Sequence, residues 1–444
     1  MLENLLQAVE RNRNIILDTE RYIWEHPETG YKEYKTSAYL SKVFQKMGYK
    51  LNFADNIPGF YTLIDTGRPG PTVLVLGEMD SVICPEHKEA DSTTGAVHAC
   101  GHNIQCAALV GTAAALRESP ILDQLCGKIK LCAVPAEELI ELEYRNQLKE
   151  KGVIHFLTGK CEFLHRGYFD DVDMALMIHA STDCAVGAGA VGCVAKEIIY
   201  KGKAAHAGGN PWDGINALYA ANCGLNAVNA IRETFQEKDI VRFHPIITNG
   251  GAMVNAVPER VTMEAFVRGS SYDSIAIANK KINRALCGGA LSLGANVDIL
   301  DYPGYAPLVN DENLISVATE AAQIALPNKK FTVYDGFTSG STDMGDLSCI
   351  MPVVHPFISG IQGKTHGSDY CVIDPETACI GGAKFLLAMI YLLLSKDAQR
   401  AKTVITNAKK PLTKDEYFAF LETITSQGDR LEYFDNGVVK VNIQ

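Results

Sequence analysis

The sequence predicts an α/β fold with a smaller α+β domain inserted into it, and two observations lead to this class. First, three short and largely apolar stretches, at 72–76, 128–134 and 173–178, alternate with helical patterns. Such stretches are typical of parallel strands that helices cover on both faces. Second, the composition changes after His179 to a glycine-rich stretch, and strands and helices then follow in a βαββαβ-like order up to residue 302. We therefore expect a large domain with a mixed, mostly parallel sheet and a smaller domain within it.

The large domain begins with an amphipathic helix or helix pair. Leu2, Leu5, Leu6 and Val9 recur at helical spacing, and His26-Pro27 then ends the pattern. A buried strand is predicted late in the chain, at 352–358. Further helical patterns lie at 104–116, 139–157, 312–326 and 381–394.

The inserted domain is predicted from its own series of elements. These are strands at 194–200, 241–247 and 261–268 and helices at 215–231 and 274–285. Asp301-Tyr302-Pro303-Gly304 reads as the return to the large domain. The expected domains are therefore the first part of the large domain at 1–186, the inserted domain at 187–302 and the second part at 303–444.

Composition and charge exclude several classes of protein. The chain has 444 residues, of which 47% are hydrophobic and 21% charged, which is a globular composition. A net charge of −11 argues against nucleic-acid binding. Apolar runs such as 385–394 are shorter than the ~20 residues of a membrane helix, so no membrane is expected. The first residues lack the pattern of a signal peptide, and the 13 scattered cysteines include no CxxC pair. A reduced, cytoplasmic protein is expected.

Side chains that bind divalent cations are concentrated where the predicted parallel strands end. Ligands of open parallel sheets bind beyond the carboxyl ends of the strands. Thiolate, imidazole and carboxylate groups together suit Zn²⁺ or a similar ion. The adjacent carboxylates of Glu137 and Glu138 follow an apolar strand, where they would repel each other unless a cation compensates. The candidate residues are Asp80, Cys100, His102, Glu137, Glu138, His179 and His366.

Several motifs resemble the M20 metallopeptidase and amidohydrolase family. They are HACGHN, VPAEE, the histidine in DMALMIHAS, and KGKAAHAGGNPWDGINAL, with HPETGYKEYKTS and GSTDMGDLS near the two ends. The branch that the chain resembles most contains aminobenzoyl-glutamate hydrolases and peptidase M20 domain-containing protein 2. The resemblance extends over roughly residues 20–395. It implies a zinc-peptidase-like catalytic domain with a ferredoxin-like lid and dimerisation domain, and hence a homodimer.

The resemblance also implies a hydrolase of amide bonds that holds two divalent metal ions per protomer. Zn²⁺ is the first expectation, and Mn²⁺, Co²⁺ and Ni²⁺ remain open. By position, Cys100 resembles the ligand that bridges the two metals. Glu137 resembles the general base, and Asp80 lies beside the site. The remaining ligands would be His102, Glu138, His179 and His366.

Three residues of the inserted domain resemble the family's substrate-binding residues. His206 matches the histidine that reaches the active site of a dimer partner and stabilises the oxyanion of the reaction. Asn255 and Arg268 resemble the residues that bind a substrate carboxylate, which a guanidinium can contact with two hydrogen bonds. The implied substrate is a small amide with a free carboxylate: an N-acyl amino acid, a dipeptide or an aminobenzoyl-glutamate-like compound.

The same residues allow other interpretations. The alternative function is a non-catalytic, metal-holding dimeric binding protein, which would have no need of Glu137 beside its metal ligands. The glycines of 187–192 match GxGxxG, but a strand-like stretch follows instead of a helix, so dinucleotide binding is rejected and an interdomain turn is expected there. Asn103 stands where many relatives have Asp. The chain between Glu138 and His179 is longer than the family resemblance leads us to expect, because it contains a charged insert at 139–160. The role of this insert stays open.

Overall fold

The computed structural model describes residues 2–118, 120–409 and 412–443 and divides into two compact units. The first unit comprises Met1–Gly189, Leu308–Thr338 and Thr342–Pro411. The second comprises Ala190–Pro307, Ser339–Ser341 and Leu412–Gln444.

Helices and strands alternate along most of the described chain. The α-helices are α1 (Leu2–Arg11), α2 (Arg13–Trp24), α3 (Tyr34–Lys46), α4 (His102–Glu118), α5 (Leu142–Glu150), α6 (Gly159–His165), α7 (Ala217–Ala230), α8 (Tyr272–Ser292), α9 (Glu312–Ala325), α10 (Met344–Ser348), α11 (Gly382–Leu394), α12 (Gln399–Asn407) and α13 (Lys414–Ile424). The strands are β1 (Asn52–Phe53), β2 (Phe60–Asp65), β3 (Thr72–Glu78), β4 (Val82–Ile83), β5 (Ala96–Val97), β6 (Lys128–Val134), β7 (Met174–Leu176), β8 (His179–Ser181), β9 (Cys184–Ala190), β10 (Gly192–Lys201), β11 (Arg242–Asn249), β12 (Arg260–Gly269), β13 (Asn296–Tyr305), β14 (Leu308–Val309), β15 (Phe331–Thr338), β16 (Val353–Val354), β17 (Phe357–Ser359), β18 (Ile361–Gln362), β19 (Cys371–Val372), β20 (Leu431–Tyr433) and β21 (Val439–Val441).

The first unit is built on a six-stranded mixed sheet in the order β1-β2-β6-β3-β7-β16. The strands β6, β3, β7 and β16 run parallel, whereas at one edge β2 pairs antiparallel with β6 and β1 pairs antiparallel with β2. All seven residues of β3 are buried, which explains why its sequence reads as a continuous apolar run. The predicted α/β class with a mixed, mostly parallel sheet is confirmed. A second sheet, β14-β9-β17-β8 with β15 beside β9, carries His179 at the start of β8.

The second unit contains a four-stranded antiparallel sheet in the order β11-β12-β10-β13, packed on α7 and α8. Along β12, buried residues alternate with more accessible ones, so one face of the sheet belongs to the core. The two helices and this sheet form the α+β architecture that the sequence predicts.

The C-terminal tail packs within the second unit, which differs from the predicted assignment of 303–444 to the large domain. Ser426 and Asp301 exchange backbone hydrogen bonds of 2.8 and 3.2 Å, and the Ser426 hydroxyl donates to the Asp301 carboxylate at 3.1 Å. Arg430 donates to the Ile299 carbonyl at 2.6 Å. The tail thus continues beside β13 instead of returning to the large sheet.

A buried polar cluster connects this tail to the second unit's sheet. The ammonium group of Lys196, on β10, forms an ion pair with the Asp301 carboxylate, and both residues are at most 2% exposed. Asn279 and Asn283 of α8 donate to the same carboxylate at 3.0 and 2.9 Å. Asp301 therefore joins residues from strand, helix and tail at one point.

The helical stretch Glu376–Leu394 is long and apolar enough to cross a membrane, but 78% of its 18-residue window is buried inside the protein. The sequence predicts a helix at 381–394, which contains the ten-residue apolar run at 385–394. The stretch is longer because a π-helical segment, Glu376–Gly381, leads directly into α11. Its burial is that of a core helix.

The glycine-rich stretch at 187–192 does not form a dinucleotide-binding turn. Gly187 and Gly189 lie within β9, and Gly192 begins β10. The strand predicted after the motif is therefore present, although the motif itself is mostly strand and not the turn that we expected.

The substitution Asp301→Asn is expected to lower the free energy of unfolding by about 3 kcal/mol, because it leaves the Lys196 ammonium buried without its counter-charge. Urea unfolding followed by circular dichroism measures the change. The matched control is Asp429→Asn, which breaks an exposed pair with Lys201 and should cost less than about 1 kcal/mol. Equal losses in the two variants would contradict this account of the cluster.

Candidate metal centre

Parallel pairing of β3 and β6 brings two groups of acidic residues to the same edge of the sheet. Glu78, the last residue of β3, pairs in register with Val134, the last residue of β6. Asp80 follows the first strand, and Glu138 follows the second. The Glu138 backbone N–H donates to the Asp80 carboxylate at 2.8 Å, so the two chain segments are joined directly beyond the strand ends.

The turn after β6 has an unusual backbone conformation. Ala136 has φ +56°, in the left-handed region that residues other than glycine seldom adopt. Its N–H donates to the buried carboxylate of Glu33 at 2.7 Å, which compensates part of the cost. This turn directs the following residues, Glu137 and Glu138.

A tight turn at the start of α4 brings in the thiol and the first imidazole. Gly101, between Cys100 and His102, has φ +87°, and a Cβ there would lie 2.6 Å from the hydroxyl oxygen of Tyr370. Only glycine fits this position. His102 Nδ1 lies 2.9 Å from the Asp80 carbonyl oxygen and 3.1 Å from its carboxylate, so Nδ1 is the protonated nitrogen. Its Nε2 is buried, lies 3.1 Å from Glu78 Oε2 and is the ring nitrogen left to face a metal.

His179 approaches Cys100 from the second sheet. Its Nδ1 donates to the Ala180 carbonyl at 2.8 Å, and its Nε2 lies 3.4 Å from Cys100 Sγ. Burial alone would raise the pKa of the Cys100 thiol, but His179 and His102 outweigh it and lower the pKa to about 6. The lowered pKa favours the thiolate, which is the form that binds metals.

His366 completes the cluster from a loop late in the chain. Its Nε2 lies 2.9 Å from Glu138 Oε1, and its backbone N–H donates to the Ala99 carbonyl at 2.8 Å. That backbone bond ties the loop to the segment carrying Cys100. His366 has φ +62°, so the loop bends sharply where the imidazole enters the site.

The ligand atoms of these residues form groups that suit metal ions. One group is Cys100, His102 and His179, and a second is Cys100, Glu138 and His366, with the atoms of each group within 4.8 Å of one another. The two groups share the sulfur of Cys100. Thiolate, imidazole and carboxylate donors in this arrangement fit a pair of divalent cations.

Glu137 lies in a third group, with Glu78 and His102. Burial raises the pKa of its carboxyl group well above the ordinary value, and the negative charges of Glu78 and Glu138 raise it further. Glu137 is therefore close to both of the other groups without belonging to either.

A buried lysine that the sequence did not predict lies beside this cluster. The ammonium group of Lys160, at the start of α6, forms ion pairs with Glu78 and Asp343, and all three side chains are fully buried. Burial would raise the pKa of Glu78, but Lys160 and His102 lower it to about 2. Gln105 also donates to Glu78 at 2.7 Å. A lysine in a charged insert reads as a surface residue, so the sequence offered no signal for this role.

The three residues predicted to bind substrate lie in the second unit. His206 and Asn255 are close together, because the Ala207 N–H donates to the Asn255 carbonyl at 3.0 Å. His206 Nδ1 accepts hydrogen bonds from the N–H groups of Gly208 and Gly209 at 3.1 and 2.9 Å. Arg268, on β12, donates to the Ser341 hydroxyl at 3.1 Å.

Comparison with known proteins places the chain in a family. The model of peptidase family M20/M25/M40 matches residues 74–392. The Xaa-Arg dipeptidase of Mus musculus is 28% identical over 368 residues, which cover 79% of this chain and 78% of that protein. One of the p-aminobenzoyl-glutamate hydrolase chains of Escherichia coli (strain K12) is 27% identical over 305 residues, covering 66% of this chain and 58% of that one.

Solved structures agree on the fold. A dinuclear metal-binding peptidase of the M20 family from Bacillus subtilis superimposes with a TM-score of 0.62 at 19% identity, covering 86% of this chain and 98% of that one. The named relatives are hydrolases, which favours an enzyme over a non-catalytic binding protein. The family model covers more than two thirds of the chain, and the resemblance seen in the sequence is confirmed. The chain belongs to peptidase family M20/M25/M40 and is a metal-dependent amidohydrolase or peptidase.

Proposed function

We propose that the protein hydrolyses the amide bond of a small substrate with a free carboxylate. An N-acyl amino acid, a dipeptide or an aminobenzoyl-glutamate-like amide would fit. The observation that carries the proposal is the convergence of thiol, imidazole and carboxylate groups from separate chain segments into two groups, with the ligand atoms of each group within 4.8 Å of one another. The relatives named as a dipeptidase and an aminobenzoyl-glutamate hydrolase support the substrate class.

Five residues are proposed to hold two divalent cations. Because the two ligand groups share Cys100, its sulfur would be common to both ions. When bound, the cations supply Lewis acidity that polarises the amide carbonyl and lowers the pKa of a water molecule. Zn²⁺, Mn²⁺, Co²⁺ and Ni²⁺ all suit the donors. The proposed ligands are Cys100, His102, Glu138, His179 and His366.

Glu137 is proposed as the general base. It would accept a proton from the attacking water and pass that proton to the leaving nitrogen. Burial and the neighbouring carboxylates of Glu78 and Glu138 raise its pKa, which strengthens it as a base. Asp80 is proposed to act beside it by orienting His102 through Nδ1 and Glu138 through its backbone N–H.

Three residues of the second unit are proposed to bind the substrate. His206 accepts two backbone hydrogen bonds at Nδ1, so its proton lies on Nε2, which is then available to donate to an oxyanion. The guanidinium group of Arg268 can pair with a carboxylate through two hydrogen bonds. Asn255 is proposed to assist it with its side-chain amide.

A homodimer is proposed because β11 lies at an edge of its sheet and exposes apolar side chains. Ile246 and Ile247 on this strand are 53% and 44% exposed, and nearby Val254 is fully exposed. An apolar edge strand is a surface that pairs readily with a second chain. A cytoplasmic location is also proposed, since none of the 13 cysteines is paired in a disulfide.

Removal of metal is expected to abolish turnover. Dialysis against a chelator should leave only background hydrolysis, because the cations activate both the water and the carbonyl. Metal content is measured by mass spectrometry. Zn²⁺, Mn²⁺, Co²⁺ and Ni²⁺ are then added back to the protein one at a time, and turnover of a panel of N-acyl amino acids and dipeptides is measured with each. Full activity of metal-free protein would refute the proposed mechanism.

The substitution Glu137→Gln should lower kcat at least ~10²-fold, which is the low end of the effect of losing a general base. Metal content should stay near that of the wild type, because Glu137 is not among the proposed ligands. The control is Glu143→Gln, which changes an exposed glutamate and should leave both quantities unchanged. Wild-type turnover in the Glu137 variant would argue against the assignment of the base.

The substitution Arg268→Ala should raise KM roughly tenfold or more for substrates with a free carboxylate, because a charge-assisted hydrogen-bonded pair is lost. The same variant should hydrolyse a substrate whose carboxylate is amidated about as well as the wild type does. Arg260→Ala, an exposed arginine on the same strand, serves as the control. A uniform loss with both kinds of substrate would contradict carboxylate binding by Arg268.

A further inference from the structure

The charged insert at 139–160 carries one arginine that does not behave as a surface residue. The insert contains α5, most of whose charged side chains are exposed. Arg145 of this helix is instead only 1% exposed. A guanidinium group removed from water is costly unless its donors are satisfied by well-placed acceptors, so its contacts indicate why it is retained.

Arg145 binds the backbone of a proposed metal ligand. Its Nη2 donates to the carbonyl oxygen of Glu138, and its Nη1 donates to the Leu157 carbonyl at 2.6 Å. The guanidinium carbon lies 5.7 Å from the centre of the Tyr31 ring. The planar fork of arginine can reach both carbonyl groups at once, which a lysine ammonium on its flexible stem is less suited to do.

The surrounding chain is shaped to admit this side chain. A Cβ on Gly30 would lie 2.3 Å from Arg145 Nη2 and 3.0 Å from the Cα of Ala136. Glycine at position 30 therefore leaves the room that the guanidinium occupies. The insert is also fixed at its far end, because the Tyr31 hydroxyl donates to the Phe156 carbonyl at 3.0 Å.

The bond from Arg145 completes the fixation of the peptide groups on both sides of Glu138. The Glu138 N–H donates to Asp80, and its carbonyl accepts from Arg145 and from the Ile140 N–H at 2.9 Å. Asp80 also orients His102. One hydrogen-bonded chain therefore runs from an imidazole of the first ligand group, through Asp80 and Glu138, to the insert.

We propose that Arg145 is a positioning residue through which the insert sets the orientation of Glu138. The proposal rests on the proposed function, since it takes Glu138 to be a metal ligand. Glu138 belongs to only one of the two ligand groups, the group with Cys100 and His366. The group of Cys100, His102 and His179 does not include it. Loss of the Arg145 contact should therefore weaken one cation site and leave the other nearly intact.

The experiment compares Arg145→Met, which keeps an apolar stem, with the wild type and with Lys151→Met, an exposed position in the same insert. We expect the affinity for the second cation and kcat each to fall about 10- to 100-fold in Arg145→Met, the range typical of groups that orient metal ligands. KM should change less than about threefold. Metal bound after dialysis should drop from two equivalents toward one, and Lys151→Met should match the wild type.

The outcomes separate this inference from the proposed function. A wild-type protein that binds no metal or hydrolyses none of the substrates contradicts the proposed function itself. Two metal equivalents and unchanged kcat in Arg145→Met, with only a lower melting temperature, overturn the positioning role. If the methionine variant does not fold, Arg145→Lys and Gly30→Ala are judged by the same measurements. The proposal is supported if at least one of these two variants loses the second cation preferentially. It is overturned if both variants retain two equivalents of metal.

Discussion

Buried negative charge is the constraint on which the rest of the first unit depends. Carboxylates cannot be gathered away from water unless positive charge compensates them. Lys160 neutralises part of this charge through Glu78 and Asp343. His366 lies 2.9 Å from Glu138 Oε1 and would offset another part only while its imidazole is protonated and holds no cation. The remaining negative charge of the buried carboxylates is the charge that divalent cations would balance. The same electrostatic requirement therefore bears on the packing of these side chains and on the binding of cations. The carboxylates concerned are Glu78, Asp80, Glu137, Glu138 and Asp343, each at most 7% exposed.

Much of the fold and the set of candidate ligands could be predicted because their signals are local and repetitive. The run 128–134 is largely apolar, and β6 has the predicted bounds. Since parallel strands end at one edge of a sheet, the residues that follow β3 and β6 could be expected together without knowledge of the tertiary structure. The helix after Gly101 begins at His102, two residues before the start at 104 that the periodic apolar pattern predicts.

The remainder depends on contacts between distant parts of the chain, which periodicity does not report. Lys160 and Arg145 lie in a segment whose composition is that of a solvated surface, and only the tertiary structure shows that both are buried. The helix predicted at 139–157 is shorter in the structure, because α5 ends at Glu150 and an irregular segment follows. The strand β15 was not predicted, since its residues are mostly accessible and lack a buried run. The domain assignment of the tail depends on hydrogen bonds with β13 that no local pattern encodes.

The position of the tail affects how the molecule is made. Residues 412–443 are the last described part to leave the ribosome, yet they pack on strands synthesised more than a hundred residues earlier. Translation proceeds at roughly 5–20 residues per second. The second unit must therefore wait several seconds with the Asp301 carboxylate lacking its Ser426 partner. During this interval the outer edge of β13 lacks the backbone partners that the tail later supplies.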